Sequence, residues 1–184
     1  MTTIADKLQS VRARIAQACA AAGRAPDSVA LLAVSKTFGA DAVHAAALAG
    51  QCCFGENYIQ EAVEKIAQVA ALGLPQPLEW HCIGPVQSNK TRLVAEHFDW
   101  VHTLDRLKTA QRLSEQRPAH LPPLQVCIQV NVDGGASKSG VAPVDALQLA
   151  RAVAQMPRLC LRGVMSIKLP MERYDAQVAE RLQS

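Results

Sequence analysis

The chain reads as an α/β protein whose parallel strands belong to a barrel of the (β/α)8 type. Three observations carry that reading. Strand-length apolar runs and helical stripes alternate six times along the 184 residues, and strand–helix units in succession imply parallel strands with right-handed crossovers. In one strand, Leu124, Val126, Ile128 and Val130 alternate with Gln125, Cys127, Gln129 and Asn131. A half-polar strand suits a barrel lumen, whereas helices cover both faces of a central strand in a doubly wound sheet. Finally, an apolar run stops at Lys36, at the carboxyl end of a strand, where barrel sites form. The doubly wound sheet also fits the alternation, and a complete barrel needs two more units than the six seen.

The elements follow from spacing. Ile4, Leu8, Val11, Ile15 and Ala18 fall three and four apart and predict a helix over 3–22. Gly23 and Pro26 end it. Strands are expected at 29–35, 51–55, 78–83, 99–103, 124–132 and 159–165. Helices are expected at 40–49, 58–72, 88–96, 105–116 and 143–155, with a last one from 171 to the terminus. Gly73, Pro75 and Pro77 turn the chain into the third strand, Pro118 to Pro123 form a proline-rich link, and Pro157 precedes the sixth strand. Ser88 is a good N-cap for the fourth strand's preceding helix. The loop Asp133 to Ala142 is rich in Gly and Ser and follows a strand, on the side where barrel sites form. No linker or repeat divides the sequence, so residues 1–184 are expected to form one domain.

Composition narrows the function. Apolar residues make up 49% and charged residues 19%, as in a folded globular chain. The net charge is +3 with scattered basic residues, and aromatics are 4%. Nothing there tracks a phosphate backbone or stacks bases, so nucleic acid is not an expected partner. Cys19, Cys52, Cys53, Cys82, Cys127 and Cys160 show no two-residue gap of a zinc or redox motif. Apolar cysteines without a disulfide framework point to a reducing cytoplasm. The first residues lack a basic-then-apolar leader, and no apolar run reaches membrane-spanning length. No Gly-x-Gly-x-x-Gly, Gly-x-Ser-x-Gly or His-Glu-x-x-His occurs, and a metal site is not expected.

Lys36 is the leading chemical candidate. A lysine at a barrel mouth can hold a carbonyl compound as a Schiff base. An ordinary lysine, with a pKa of about 10.4, is neutral in only about one molecule in 2,500 at pH 7. A nucleophilic one needs desolvation or a neighbouring positive charge, and Val34 and Phe38 flank this one. The plain alternative is a lysine reaching to water from a strand end. Asn57 and Asn131 end the second and fifth strands and can hydrogen-bond a ring hydroxyl or orient an aldehyde, or simply cap loops. His81 is a polar rim group or a hydrogen-bonded core residue. Lys138 and the Gly84–Lys90 loop offer weaker anion contacts.

These residues fall in motifs that occur in order. They are Val34-Ser35-Lys36-Thr37, Phe54-Gly55-Glu56-Asn57-Tyr58 and His81-Cys82-Ile83-Gly84-Pro85-Val86-Gln87-Ser88-Asn89-Lys90, then Val130-Asn131-Val132, Ser137-Lys138-Ser139-Gly140 and Leu161-Arg162-Gly163-Val164-Met165. With them the chain closely resembles the pyridoxal phosphate homeostasis protein family. The resemblance covers essentially the whole sequence. It implies a fold type III barrel like the N-terminal domain of alanine racemase, here with six βα units and an extra N-terminal helix. It also implies that Lys36 holds pyridoxal 5′-phosphate (PLP) as an internal aldimine, with Asn57, His81, Asn131 and Met165 lining the pocket. The implied role is buffering and delivery of PLP to PLP-dependent apoenzymes, without catalytic turnover.

Cys82 departs from the aromatic residue usual in the family, and Gly135 from a frequent acid. The family also continues with a strand-seven loop and an Arg-containing strand eight that hold the phosphate and the pyridine nitrogen, whereas this sequence stops at Leu182-Gln183-Ser184. The expectation is weak PLP binding and open edges at the first and sixth strands that favour self-association, against the monomer implied by the family. A PLP-dependent racemase is the enzymatic alternative, but it needs a second base, for which Tyr58 and Tyr174 are the available tyrosines. A cofactor-free Schiff-base aldolase and a remnant of the family that no longer binds PLP complete the alternatives.

Overall fold

Six strands hydrogen-bond in chain order in one sheet. The computed structural model describes residues 2–132 and 139–167. They comprise α1 (Ile4–Ala21), β1 (Ala33–Val34), α2 (Ala40–Leu48), β2 (Cys53–Glu56), α3 (Ile59–Ala71) and β3 (Glu79–Cys82), followed by α4 (Thr91–His97), β4 (Trp100–Leu104), α5 (Leu107–Gln116), β5 (Leu124–Gln129), α6 (Pro143–Ala154) and β6 (Leu159–Met165). A doubly wound sheet reverses its strand order at a switch point. The order here never reverses, which removes that alternative and leaves the singly wound sheet of a partial (β/α)8 barrel.

The chain forms two compact units, Met1–Gly84 with His97–Trp100, and Pro85–Glu96 with Val101–Ser184. In the first, β1, β2 and β3 pair in parallel. Helix α1 starts at a capping box in which the Thr3 hydroxyl accepts from the Asp6 N–H, while the Asp6 carboxylate accepts from Thr3. Arg12 of α1 donates to the carbonyls of Ala49 and Gly50 at 3.1 and 2.8 Å, fastening the helix to the end of α2. The layer between sheet and helices holds Val43, Phe54, Ala62, Val69 and Trp80, all buried. The Phe54 and Trp80 rings lie 5.7 Å apart.

In the second unit β5 and β6 pair in parallel. Leu124, Val126 and Ile128 are fully buried, while Gln125 and Cys127 between them are half-buried. This is the alternation expected of a strand with one apolar and one polar face. The proline-rich link is held by two arginines. Arg117 donates to the carbonyls of Pro122 and Ala95 at 2.7 and 2.8 Å, and Arg158 donates to that of Pro118 at 2.6 Å and to that of Leu121.

Three expected elements change. The first strand is two residues long rather than seven. The Gln51 side-chain amide takes the Leu31 carbonyl at 2.7 Å, so the ladder to β2 begins only at Ala33. Ser88 is not an N-cap. Residues 88–90 form a turn closed by Lys90 N–H on the Gln87 carbonyl, and α4 begins at Thr91. Strand five ends at Gln129 rather than 132. The predicted helix from 171 and the loop residues 133–138 lie outside the described residues.

Candidate functional site

Side-chain direction is set by a buried polar cluster behind the first two strands. Glu56 at the end of β2 is 1% exposed, and its Oε1 accepts from the Ser35 hydroxyl and from Lys65 Nζ, each at 2.6 Å. Lys65 of α3 also donates to the Ser35 carbonyl at 2.8 Å. Ser35 and Glu56 therefore point toward the helix layer. Lys36 and Asn57, the next residue in each segment, lie beyond the strand ends, in a turn and a bend. Sequence reading missed this cluster, although a signal exists: Lys65 falls on the buried stripe of α3 with Ala62 and Val69.

Lys36 sits in a turn just past β1, closed by Phe38 N–H on the Ser35 carbonyl at 3.0 Å. It is exposed, as are Val34 and Phe38. The expected desolvation by those two neighbours is therefore not what the described residues provide. Val34 and Phe38 border a cleft also lined by Leu8 and Val11 of α1 and by Val43 and Ala46 of α2. Asn57 is half-buried just beyond β2. Its main chain passes so close to Gly84 that a Cβ there would lie 2.1 Å from the Asn57 carbonyl oxygen. Only glycine permits this approach, a role the motif reading did not give to Gly84.

His81 is 6% exposed and shares a cross-strand row with Gly55, itself opposite Val34. Its Nε2 is 2.9 Å from Glu79 Oε1, and its ring stacks on Trp100 with centroids 5.3 Å apart and planes 12° apart. The Cys53 thiol donates to the same Glu79 oxygen at 3.5 Å. Burial and the Glu79 charge push that thiol up to about 11. Cys82, on the helix side, is fully buried and its thiol is pushed up to about 12 by desolvation.

The first unit thus brings Lys36, Asn57 and His81 to the carboxyl ends of neighbouring strands. The second does the same for Asn131 and Met165. Asn131 follows β5 and donates its N–H to the Val141 carbonyl at 2.9 Å, while the Met165 carbonyl at the end of β6 accepts from Val130 N–H at 2.9 Å. Gly140, with φ of 119°, lies where a Cβ would meet the Asn131 nitrogen at 2.8 Å. Lys138 and Gly135 lie outside the described residues.

The family model of the alanine racemase N-terminal domain matches residues 7–183. A pyridoxal phosphate homeostasis protein of Pseudomonas aeruginosa is 61% identical over 179 residues, which is 97% of this chain and 76% of the relative. The chain belongs to the pyridoxal phosphate homeostasis protein family. A family likeness extends to solved structures. PipY from Synechococcus elongatus, solved with PLP bound, superposes with a TM-score of 0.79 at 34% identity, covering 96% of this chain and 76% of PipY. Alanine racemase from Corynebacterium glutamicum superposes with a TM-score of 0.60 at 17% identity, covering 98% of this chain and 48% of the racemase, which is a likeness of fold. The family's fold is the one reached above from strand order.

Proposed function

We propose that this chain binds PLP, holds it covalently through the Lys36 amine and serves PLP homeostasis, as one domain spanning 1–184. The observation that carries the proposal is the position of Lys36: an exposed primary amine just past the carboxyl end of β1, in a chain 61% identical to a protein named for PLP homeostasis. PipY, solved with PLP bound, supports the same ligand. The donor set suits it. An amine, the amide of Asn57 and the imidazole of His81 lie at the carboxyl ends of adjacent strands, and Gly55 keeps side-chain bulk out of the row between Val34 and His81. When bound, PLP supplies an aldehyde that condenses with a primary amine.

Each residue has a task in this reading. Lys36 provides the attachment point. Asn57 orients the ring through hydrogen bonds, and His81, Asn131 and Met165 line the pocket. The Glu56–Lys65–Ser35 cluster fixes the backbone immediately before Lys36 and Asn57. The chain works as a carrier, donating PLP to apoenzymes in a reducing cytoplasm, and as a monomer. No helix among the described residues is long and apolar enough to cross a membrane.

The test is to mix the full chain with PLP, record the visible absorption band, reduce with borohydride and map the labelled peptide. Label at Lys36, and loss of the band in Lys36→Ala, are the expected results. A band that survives Lys36→Ala, or label spread over other lysines, overturns the assignment.

A further inference from the structure

We propose that Cys53, Glu79 and His81 form a binding site for a zinc-class divalent cation, with three protein ligands and one position open to water. The ligand atoms Sγ, Oε1 and Nε2 all lie within 4.8 Å of one another. They come from facing positions: Cys53 is the cross-strand partner of Glu79, and His81 lies two residues further along β3 on the same face. A thiol and an imidazole nitrogen converge on one carboxylate oxygen, at 3.5 and 2.9 Å. That oxygen can only accept, so both contacts are made by protons, and two converging protons mark the place a dication replaces them.

Two of the three ligand separations can be compared with a metal site. Tetrahedral zinc bonds to sulfur, nitrogen and oxygen place the sulfur and oxygen about 3.6 Å apart and the nitrogen and oxygen about 3.4 Å apart. The first matches the observed 3.5 Å, and the second asks the 2.9 Å contact to open by roughly 0.5 Å. Glu79 can make that move because its side chain is 45% exposed, while the 8% exposed His81 ring is held flat against Trp100. The exposed Glu79 side also gives the cation its entry path. Asp99, whose carboxylate accepts from Trp80 N–H at 2.8 Å, adds negative potential at the thiol. A thiol, an imidazole and one carboxylate select zinc or cobalt over magnesium or calcium, which take oxygen ligands. On binding, the sulfur–hydrogen bond breaks, a sulfur–metal bond forms and that proton leaves to solvent, while the proton on His81 Nε2 gives way to the metal, passing to solvent from an imidazolium or by exchange to Nδ1 in a neutral ring. No motif announces this site, because Cys53 and Glu79 meet only through strand register.

The full chain, free of PLP, is titrated with cobalt(II). One equivalent is expected to give a thiolate-to-cobalt charge-transfer band that zinc abolishes. The band is expected to vanish in Cys53→Ala and to persist in Cys52→Ala. Glu79→Gln, a change at a half-exposed side chain, is expected to weaken zinc at least tenfold by competition titration. Absence of the band in the parent chain, its survival in Cys53→Ala, or unchanged zinc affinity in Glu79→Gln overturns the site. The Glu79 result decides the question even if Cys53→Ala fails to fold. Because PLP is absent throughout, failure here leaves the reading of Lys36 untouched.

Discussion

The two units both pack apolar side chains behind their strands, but among the described residues only behind β1 and β2 is an ion pair built into the layer. Behind β1 and β2 the first unit buries a carboxylate, an ammonium and a hydroxyl joined by contacts of 2.6 Å. Behind β5 the second buries Leu124, Val126 and Ile128, each with 0% exposure. Apolar packing is non-directional and tolerates small shifts. A buried ion pair is directional and adds little net stability over a hydrophobic replacement. The charged cluster sits immediately before Lys36 and Asn57, where the direction of the next residue matters.

The largest effect is expected from splitting the pair. Glu56→Ala leaves Lys65 buried without its countercharge and is expected to cost about 3–5 kcal/mol in urea unfolding. Replacing both, as Glu56→Leu with Lys65→Met, is expected to restore most of that loss. The double variant should still label less than the parent at position 36, because the Ser35 carbonyl then loses the Lys65 contact and keeps only the Phe38 N–H. A double variant as damaged as the single one would break the contrast. In the second unit, Ile128→Val removes one methylene from a packed layer and is expected to cost about 0.5–1.5 kcal/mol. A larger loss there would make β5 the more exacting of the two layers.

The smallest effect belongs to a charge with the same hydrogen-bonding logic but in open water. The Thr3 N–H and hydroxyl hold the exposed Asp6 carboxyl below the usual carboxylate range. Its contribution is therefore present above the unfolded-state pKa of about 3.9 and is lost as pH falls through the lower folded-state value. Parent and Asp6→Asn should differ slightly in melting temperature at about pH 6 and converge as the pH falls through the lowered folded-state value. A difference that grows on acidification would contradict this.

Much of this was legible in sequence because it rests on local periodicity. The stripe of α1, the alternation of Leu124 to Gln129 and the six-fold succession of strand and helix needed no coordinates. Lys36 was legible as a strand-end residue. Its exposure was not, since that depends on what covers Val34 and Phe38. The shortening of β1 depends on a side chain, Gln51, competing for a backbone carbonyl twenty residues away. Ser88 looked like a cap because its residue type suits one, yet the turn at 88–90 delays the helix to Thr91. The Cys53–Glu79–His81 cluster depends on pairing register, and the close approach of Asn57 to Gly84 on the path of two loops. Neither leaves a periodic trace.

The arginine-held link carries a consequence for biosynthesis. Pro118 leaves the ribosome 40 residues before Arg158, the side chain that caps its carbonyl. At about 5–20 residues per second, that gap is roughly 2–8 s. During that interval the bend has Arg117 alone of the two clasps, so its final shape waits on chain that is still being made.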